Sequence, residues 1–195
     1  MRVKDENKEL RLRKYALKMI AKDGLEQFSI QKLAKKAGVS PGTIYIYFKD
    51  KDDLILKVCE EQMNKMTETS LEGFSPDMSF NEGMKIQWIN RAKYGLKYQD
   101  EVLFMEQIKH SSYHSKTIKA SGPFRKSMHD FVSNAIKNRE LVKVPVEVFW
   151  SVAYGPLYNL LNFHKRGTSL AGNKFVLTDE IMMQALQLVL KALKP

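Results

Sequence analysis

The chain has 195 residues, with 32 Lys/Arg against 22 Asp/Glu and a formal net charge of +10. Hydrophobic residues make up 44% and charged residues 28%, enough apolar material for a packed core, which excludes a disordered chain. A single cysteine, Cys59, excludes an internal disulfide and a thiolate metal site, and it fits a reducing compartment.

The first residues, MRVKDENKELRLRK, contain no apolar segment and no small-residue cleavage site, so they do not read as an export signal. Positive charge is denser at this end: residues 1–55 hold 13 Lys/Arg and 8 Asp/Glu. Such a surface is either simply solvated or attracted to phosphate, and only a motif can favour the second. Leu12, Ala16, Met19 and Ile20 follow the spacing of one helical face, and Gly24 ends that helix. Ser29 caps a short second helix, Ile30 to about Lys36, with Ile30, Leu33 and Ala34 inward. Ala37-Gly38-Val39 makes a tight turn. Ser40 caps a third helix from Pro41 to Phe48, whose first position tolerates proline because no N–H is needed there. Asp50 caps a fourth helix reaching Leu71, with Asp53 placed for a capping-box-like contact.

Gly73-Phe74-Ser75-Pro76 reads as a break. Further helices are predicted near 78–98, 100–111, 122–139, 145–166 and 178–194, with Thr178, Asp179 and Glu180 opening the last. The stretch 144–163 is the most apolar, but Glu147 and Gly155-Pro156 make it a helix buried in protein and not a membrane span. The expected fold is all-α: an N-terminal three-helix helix-turn-helix domain over 1–50, a linking helix over 51–71, and a C-terminal helical domain over 72–195. The expected location is cytoplasmic.

The informative segment is Ser29 to Phe48, SIQKLAKKAGVSPGTIYIYF. Two short helices joined by a glycine-containing turn form a helix-turn-helix. Leu33, Ala34, Val39, Ile44 and Phe48 are read as the inner face; Pro41, Gly42, Thr43, Tyr45 and Tyr47 are read as facing outward. This segment resembles the N-terminal DNA-binding domain of the TetR/AcrR family of bacterial repressors. The resemblance runs from about Leu12 to Leu56. It rests on Ala16 and Gly24, the Leu33-Ala34 pair, Gly38-Val39-Ser40, Gly42-Thr43-Ile44-Tyr45, Tyr47-Phe48, and Lys51 followed by Asp53-Leu54.

Carried over by position, the resemblance implies phosphate contacts from Ser29 and Gln31. It implies groove contacts from Ser40, Gly42 and Thr43, sugar, phosphate or thymine contacts from Tyr45 and Tyr47, and a backbone grip from Lys51. Pro41 and Ile46 depart from the polar residues common among relatives. Tyr45 has a second reading, packed against the first helix. Lys32, Lys35 and Lys36 read as a solvated face that adds to the electrostatic field.

For the remainder, the resemblance implies a homodimer built from 145–166 and 178–194. The sequence agrees, since Ile181, Ala185, Leu188 and Ala192, flanked by Met182, Leu186, Val189 and Leu193, leave little of that helix polar. Trp88, Tyr94, Tyr98, Phe104, Met105, Trp150, Tyr154 and Tyr158 are candidates to line a pocket for an apolar or aromatic effector. The same side chains can equally be core. Glu106, His110 and His114 fall four apart, a spacing that can hold zinc on a continuous helix, but no further ligand is placed and no metal or other cofactor is expected. No catalytic constellation stands out, so the protein is not expected to be an enzyme. The expected function is a dimeric, sequence-specific regulator of transcription. It would bind a palindromic operator in double-stranded DNA, most simply as a repressor released by a small molecule. The alternative is a DNA-bound adaptor whose C-terminal domain recruits a protein partner without a small-molecule effector.

Overall fold

The computed structural model describes residues 5–117 and 122–195. The described residues form helices α1 (Glu6–Asp23), α2 (Ile30–Ala37), α3 (Pro41–Tyr45), α4 (Lys51–Leu71), α5 (Phe80–Lys97), α6 (Gln99–Lys109), α7 (His114–Thr117), α8 (Gly122–Lys137), α9 (Val146–Arg166) and α10 (Asp179–Leu193). The only extended pairing among them is an isolated bridge between Thr168 and Lys174. The all-α expectation holds, and most predicted helix ends fall within two residues of those observed.

The caps explain this agreement. Oxygens of Asp5, Ser29, Ser40 and Thr178 accept from the backbone N–H three residues on, satisfying one of the donors that every helix start leaves free. Gly38 ends α2 at φ +67°, ψ +36°, a left-handed conformation that costs a side-chain-bearing residue about 1–2 kcal/mol. Its N–H and that of Val39 both return to the Ala34 carbonyl, a Schellman-type closure that reverses the chain within two residues.

The residues pack as two compact units, and these are not the consecutive stretches 1–50 and 72–195 expected from the sequence. Among the described residues, the first contains 5–67, 98–117 and Gly122; the second contains 68–97 and 123–195. In the first unit α1 packs on α6 as well as on α2, and α2 packs on α3. Leu12, Ala16 and Ile20 of α1 share a core with Leu33, Ile44, Phe48, Leu54, Val58, Phe104 and Ile108. Through Phe104, Ile108 and Tyr113, the segment 98–116 thus belongs by burial to the helix-turn-helix unit. Polar contacts agree. Tyr113 Oη donates to Asp52 Oδ1 at 2.6 Å, and Lys65 Nζ meets Glu101 Oε1 at 2.8 Å with its ammonium over the Tyr98 ring.

The second unit is built from α5, α8, α9 and α10. Phe80, Met84, Trp88 and Ala92 repeat every fourth residue along α5, and they meet Phe131, Phe149, Ala153, Leu157, Met182 and Leu186. The Trp88 indole N–H donates to the Ala153 carbonyl at 2.8 Å. At the α9–α10 connection, the Leu177 N–H donates to His164 Nδ1 at 3.1 Å. A Cβ on Gly83 would overlap the Phe131 ring and come within 3.2 Å of Phe74. Gly83→Ala should therefore destabilise the protein by about 1–3 kcal/mol despite alanine's better helix propensity. A urea midpoint equal to or above that of the wild type would show that this contact yields freely.

Candidate functional site

The helix-turn-helix is held from within. Ile44, Tyr47 and Phe48 are 0%, 6% and 1% exposed and lie in the core of the first unit. Tyr47 was expected to face outward with Tyr45; it faces inward. The reason is helical spacing: residues three and four beyond Ile44 share its face, whereas Tyr45 and Ile46 fall on the other side. The α-helix itself stops at Tyr45, and the Tyr47 N–H closes on the Ile44 carbonyl at 3.0 Å, an i→i+3 bond of the tighter type. Lys57 secures this end, with Nζ 3.3 Å from the Tyr47 carbonyl oxygen and 5.2 Å from the Phe48 ring centroid.

The outward surface then consists of Ser40, Pro41, Gly42, Tyr45 and Ile46, all exposed, with Thr43 half-buried. Tyr45 is 53% exposed, which decides between its two readings. Ser40 Oγ lies 3.0 Å from Thr43 Oγ1, so the two hydroxyls form one polar patch. Gln31 is exposed two residues beyond the Ser29 cap, and Lys35 and Lys36 are exposed in the last turn of α2. Lys51 is half-buried, with its ammonium 5.8 Å from the centroid of the Phe28 ring.

The start of α4 is fixed by two aspartates. Asp50 Oδ1 accepts from the Asp53 N–H at 2.8 Å, and Asp53 Oδ2 accepts from the Lys49 N–H at 2.9 Å. This is the capping-box exchange expected from the sequence, displaced by one residue at its return bond. The Lys49 N–H, followed by the Lys57 ammonium, holds the Asp53 carboxyl below the usual carboxylate range. The Asp50 and Asp53 carboxylates are therefore engaged with local backbone N–H groups, and Asp53 with Lys57 as well.

The eight candidate pocket residues separate. Phe104 lies in the core of the first unit with Met105 packed against it, and Tyr98 sits under Lys65 in that same unit. Trp88 and Tyr154 are fully buried in the second unit, Tyr94 is nearly so, and Trp150 and Tyr158 are 38% and 40% exposed. Three of these, Trp150, Tyr154 and Tyr158, gather around Arg91 of α5, a residue that the sequence reading passed over. Its guanidinium carbon lies 4.1 Å from the centroid of the Tyr154 ring, 5.0 Å from that of Trp150 and 5.3 Å from that of Phe124. Its Nη1 donates to Tyr158 Oη at 2.7 Å. The available signal was in α5 itself, where Gln87, Asn90 and Arg91 are buried alongside Trp88, Ala92 and Tyr94, more than one stripe of the helix.

A separate groove of about 460 Å³ is lined by Ile89, Ala92 and Leu96 of α5 and Met182 and Met183 of α10, among others, and by none of the eight candidates. His110 terminates α6 and His114 opens α7, so Glu106, His110 and His114 do not share one helical face. No group of three or more potential metal ligands occurs among the described residues, and no described helix is long and apolar enough to cross a membrane.

A helix-turn-helix packed on a long N-terminal helix, in a chain whose other described elements are helical, defines an all-α helix-turn-helix protein. Residues 12–58 match the family described as bacterial regulatory proteins, tetR family. Over these residues the chain is similar to that family, and the match covers about a quarter of its length. The fatty acid metabolism regulator protein of Bacillus subtilis is 35% identical over 71 residues, which cover 36% of this chain and 37% of that protein. An HTH-type transcriptional regulator of Haemophilus influenzae is 37% identical over 73 residues, 37% of this chain and 39% of that protein. These matches span well under half the length of either relative. The whole chain is similar in fold to a TetR family transcription regulator from Marinobacter aquaeolei VT8, with a TM-score of 0.81 at 23% identity over 99% of this chain and 98% of that one. A TetR-family regulator from Haemophilus influenzae Rd aligns over the full length of both chains, with a TM-score of 0.79 at 22% identity.

Proposed function

We propose that the protein is a cytoplasmic, homodimeric transcriptional repressor that binds a palindromic operator in double-stranded DNA and leaves it when a small apolar or aromatic molecule binds the second unit. One observation carries the DNA reading. Ile44, Tyr47 and Phe48 anchor the second helix of the motif in a core, while Ser40, Gly42, Thr43 and Tyr45 keep solvent access at its start. Small side chains there permit close approach to a groove wall, and the Ser40–Thr43 hydroxyls and Tyr45 supply polar contact to phosphates and base edges. Ser29, Gln31 and Lys51 would add contacts to the backbone. Two-fold symmetry sets half-sites about 34–36 Å apart, or a multiple of that distance.

Support for the dimer comes from apolar side chains left uncovered on the expected helices. Leu188 of α10 is 67% exposed, and Val146 and Val148 of α9 are exposed with it. A second copy covering them would extend the α9–α10 pair into a four-helix bundle. Release by a ligand requires that it bind the DNA-free conformer more tightly, and nothing else about its affinity matters. The buried, uncharged surroundings of Arg91 favour a small-molecule effector over a purely protein-recruiting adaptor.

The test is anisotropy with a duplex selected from a random library, read as affinity against salt concentration. Tight binding to a palindrome by a protein of dimer mass is expected; indifference to duplex DNA at low salt would overturn the proposal. Lys51→Ala should weaken binding to all sequences alike and reduce the salt slope by about one unit. An unchanged slope would remove Lys51 from the contact surface.

A further inference from the structure

Arg91 is 8% exposed, and its neighbours are aromatic rings and one hydroxyl. A guanidinium carries five N–H donors, and burying it without an anion is costly unless the charge and the donors are matched. Stacking on Tyr154, Trp150 and Phe124 answers part of the charge. Nη1 is matched by Tyr158, and the Tyr154 hydroxyl also interacts with the guanidinium, but Nε and Nη2 are buried without a hydrogen bond of standard geometry. These two atoms form the side-on edge of the guanidinium, whose parallel N–H bonds fit the two oxygens of a carboxylate.

We infer that this box is the recognition site for an apolar monocarboxylate, with the carboxylate seated on the Nε–Nη2 edge of Arg91 and the apolar body against Trp150, Tyr154 and Phe124. A monoanion matches a single guanidinium among uncharged neighbours, and a planar acceptor matches its edge. The Tyr154 hydroxyl is also buried, without a hydrogen bond of standard geometry. Burial raises its pKa to about 12 against the opposing pull of the Arg91 charge, so it stays protonated and able to donate. Trp150 and Tyr158 are the members of the box that reach solvent, and they mark the side of entry. The inference rests on the ligand-released reading given above and supplies the chemical class of the effector.

The test uses the full-length protein with 2-naphthoate and its neutral counterpart 2-naphthalenemethanol, and with octanoate and octanol. Binding is read by tryptophan fluorescence and calorimetry, and DNA affinity is measured in parallel. Each acid should bind about tenfold or more tighter than its alcohol, the worth of a charge-assisted bond in a dry site. Arg91→Gln should bring the acid down to the level of the alcohol and leave the alcohol unchanged. Should Arg91→Gln fail to fold, Arg91→Lys carries the comparison, because it keeps the charge but lacks the side-on edge and should still lose several-fold for the acid.

Equal affinities for acid and alcohol, an Arg91 variant that binds the acid as well as the wild type, or no binding of any probe would each overturn the carboxylate assignment. If the alcohols release DNA as well as the acids, the assignment fails and ligand-released repression stands. If the acids bind through Arg91 and DNA affinity does not move, the assignment stands and ligand release fails.

Discussion

Replacing Gly42 with glutamate should abolish specific DNA binding and leave the protein folded. A Cβ at Gly42 would meet only Ser40 Oγ, at 3.8 Å, in ordinary contact, so the backbone need not move. Gly42 is exposed in the first turn of α3, where an acidic side chain is favourable to the helix itself. Against DNA the same carboxylate faces phosphates. Like charges about 4 Å apart repel by about 1 kcal/mol in bulk water and about 4 kcal/mol at an effective dielectric constant near 20. The longer side chain also blocks the close approach that glycine permits. Because the proposed dimer would carry the change twice, an affinity loss of at least about a hundredfold is expected. The check is anisotropy on the selected duplex, with circular dichroism and thermal melting as the control for folding. Wild-type affinity in a normally folded Gly42→Glu protein would mean that the second helix of the motif does not enter the groove.

Trp88→Ala should cost more stability than Gly83→Ala. Trp88 is fully buried, lies in the every-fourth-residue row of α5, and donates its indole N–H to the Ala153 carbonyl. Truncating such a side chain costs about 3–5 kcal/mol, because the transfer energy and the cavity left behind add. Domains of this size hold only about 5–15 kcal/mol in total, so the variant should melt far below the wild type or fail to fold at ordinary temperature. Trp88→Phe keeps most of the volume and loses the hydrogen bond, so it should cost much less, with the bond itself worth about 1 kcal/mol. Urea denaturation followed by circular dichroism measures both. If Trp88→Ala costs under about 1 kcal/mol, Trp88 is lining open space as a pocket residue would, and not filling the core.

The two substitutions bear on different halves of the sequence reading. Around Gly42 the sequence was explicit: Ser29, Ser40 and Thr178 cap the helices they were expected to cap, and Gly38 takes the left-handed turn required of it. Tyr47 was misassigned although its position three residues after Ile44 already placed it on the buried face. Around Trp88 the sequence offered a set of aromatic residues without saying which share a site. Phe104 and Met105 went to one core, and Trp150, Tyr154 and Tyr158 to a cluster in the other unit.

The division follows the range of the forces. Caps, glycine turns and three-and-four spacing act within a few residues, so the order of helices and the helix-turn-helix could be read from neighbours along the chain. The grouping of Phe104, Ile108 and Tyr113 with the N-terminal helices depends on apolar faces that meet only when distant segments pack. Arg91 is the clearest case. Between Trp88 and Tyr94 it looks like any solvated arginine, and it becomes a desolvated cation with two nitrogens short of a standard hydrogen bond only once Phe124, Trp150 and Tyr154, from other helices, close around it.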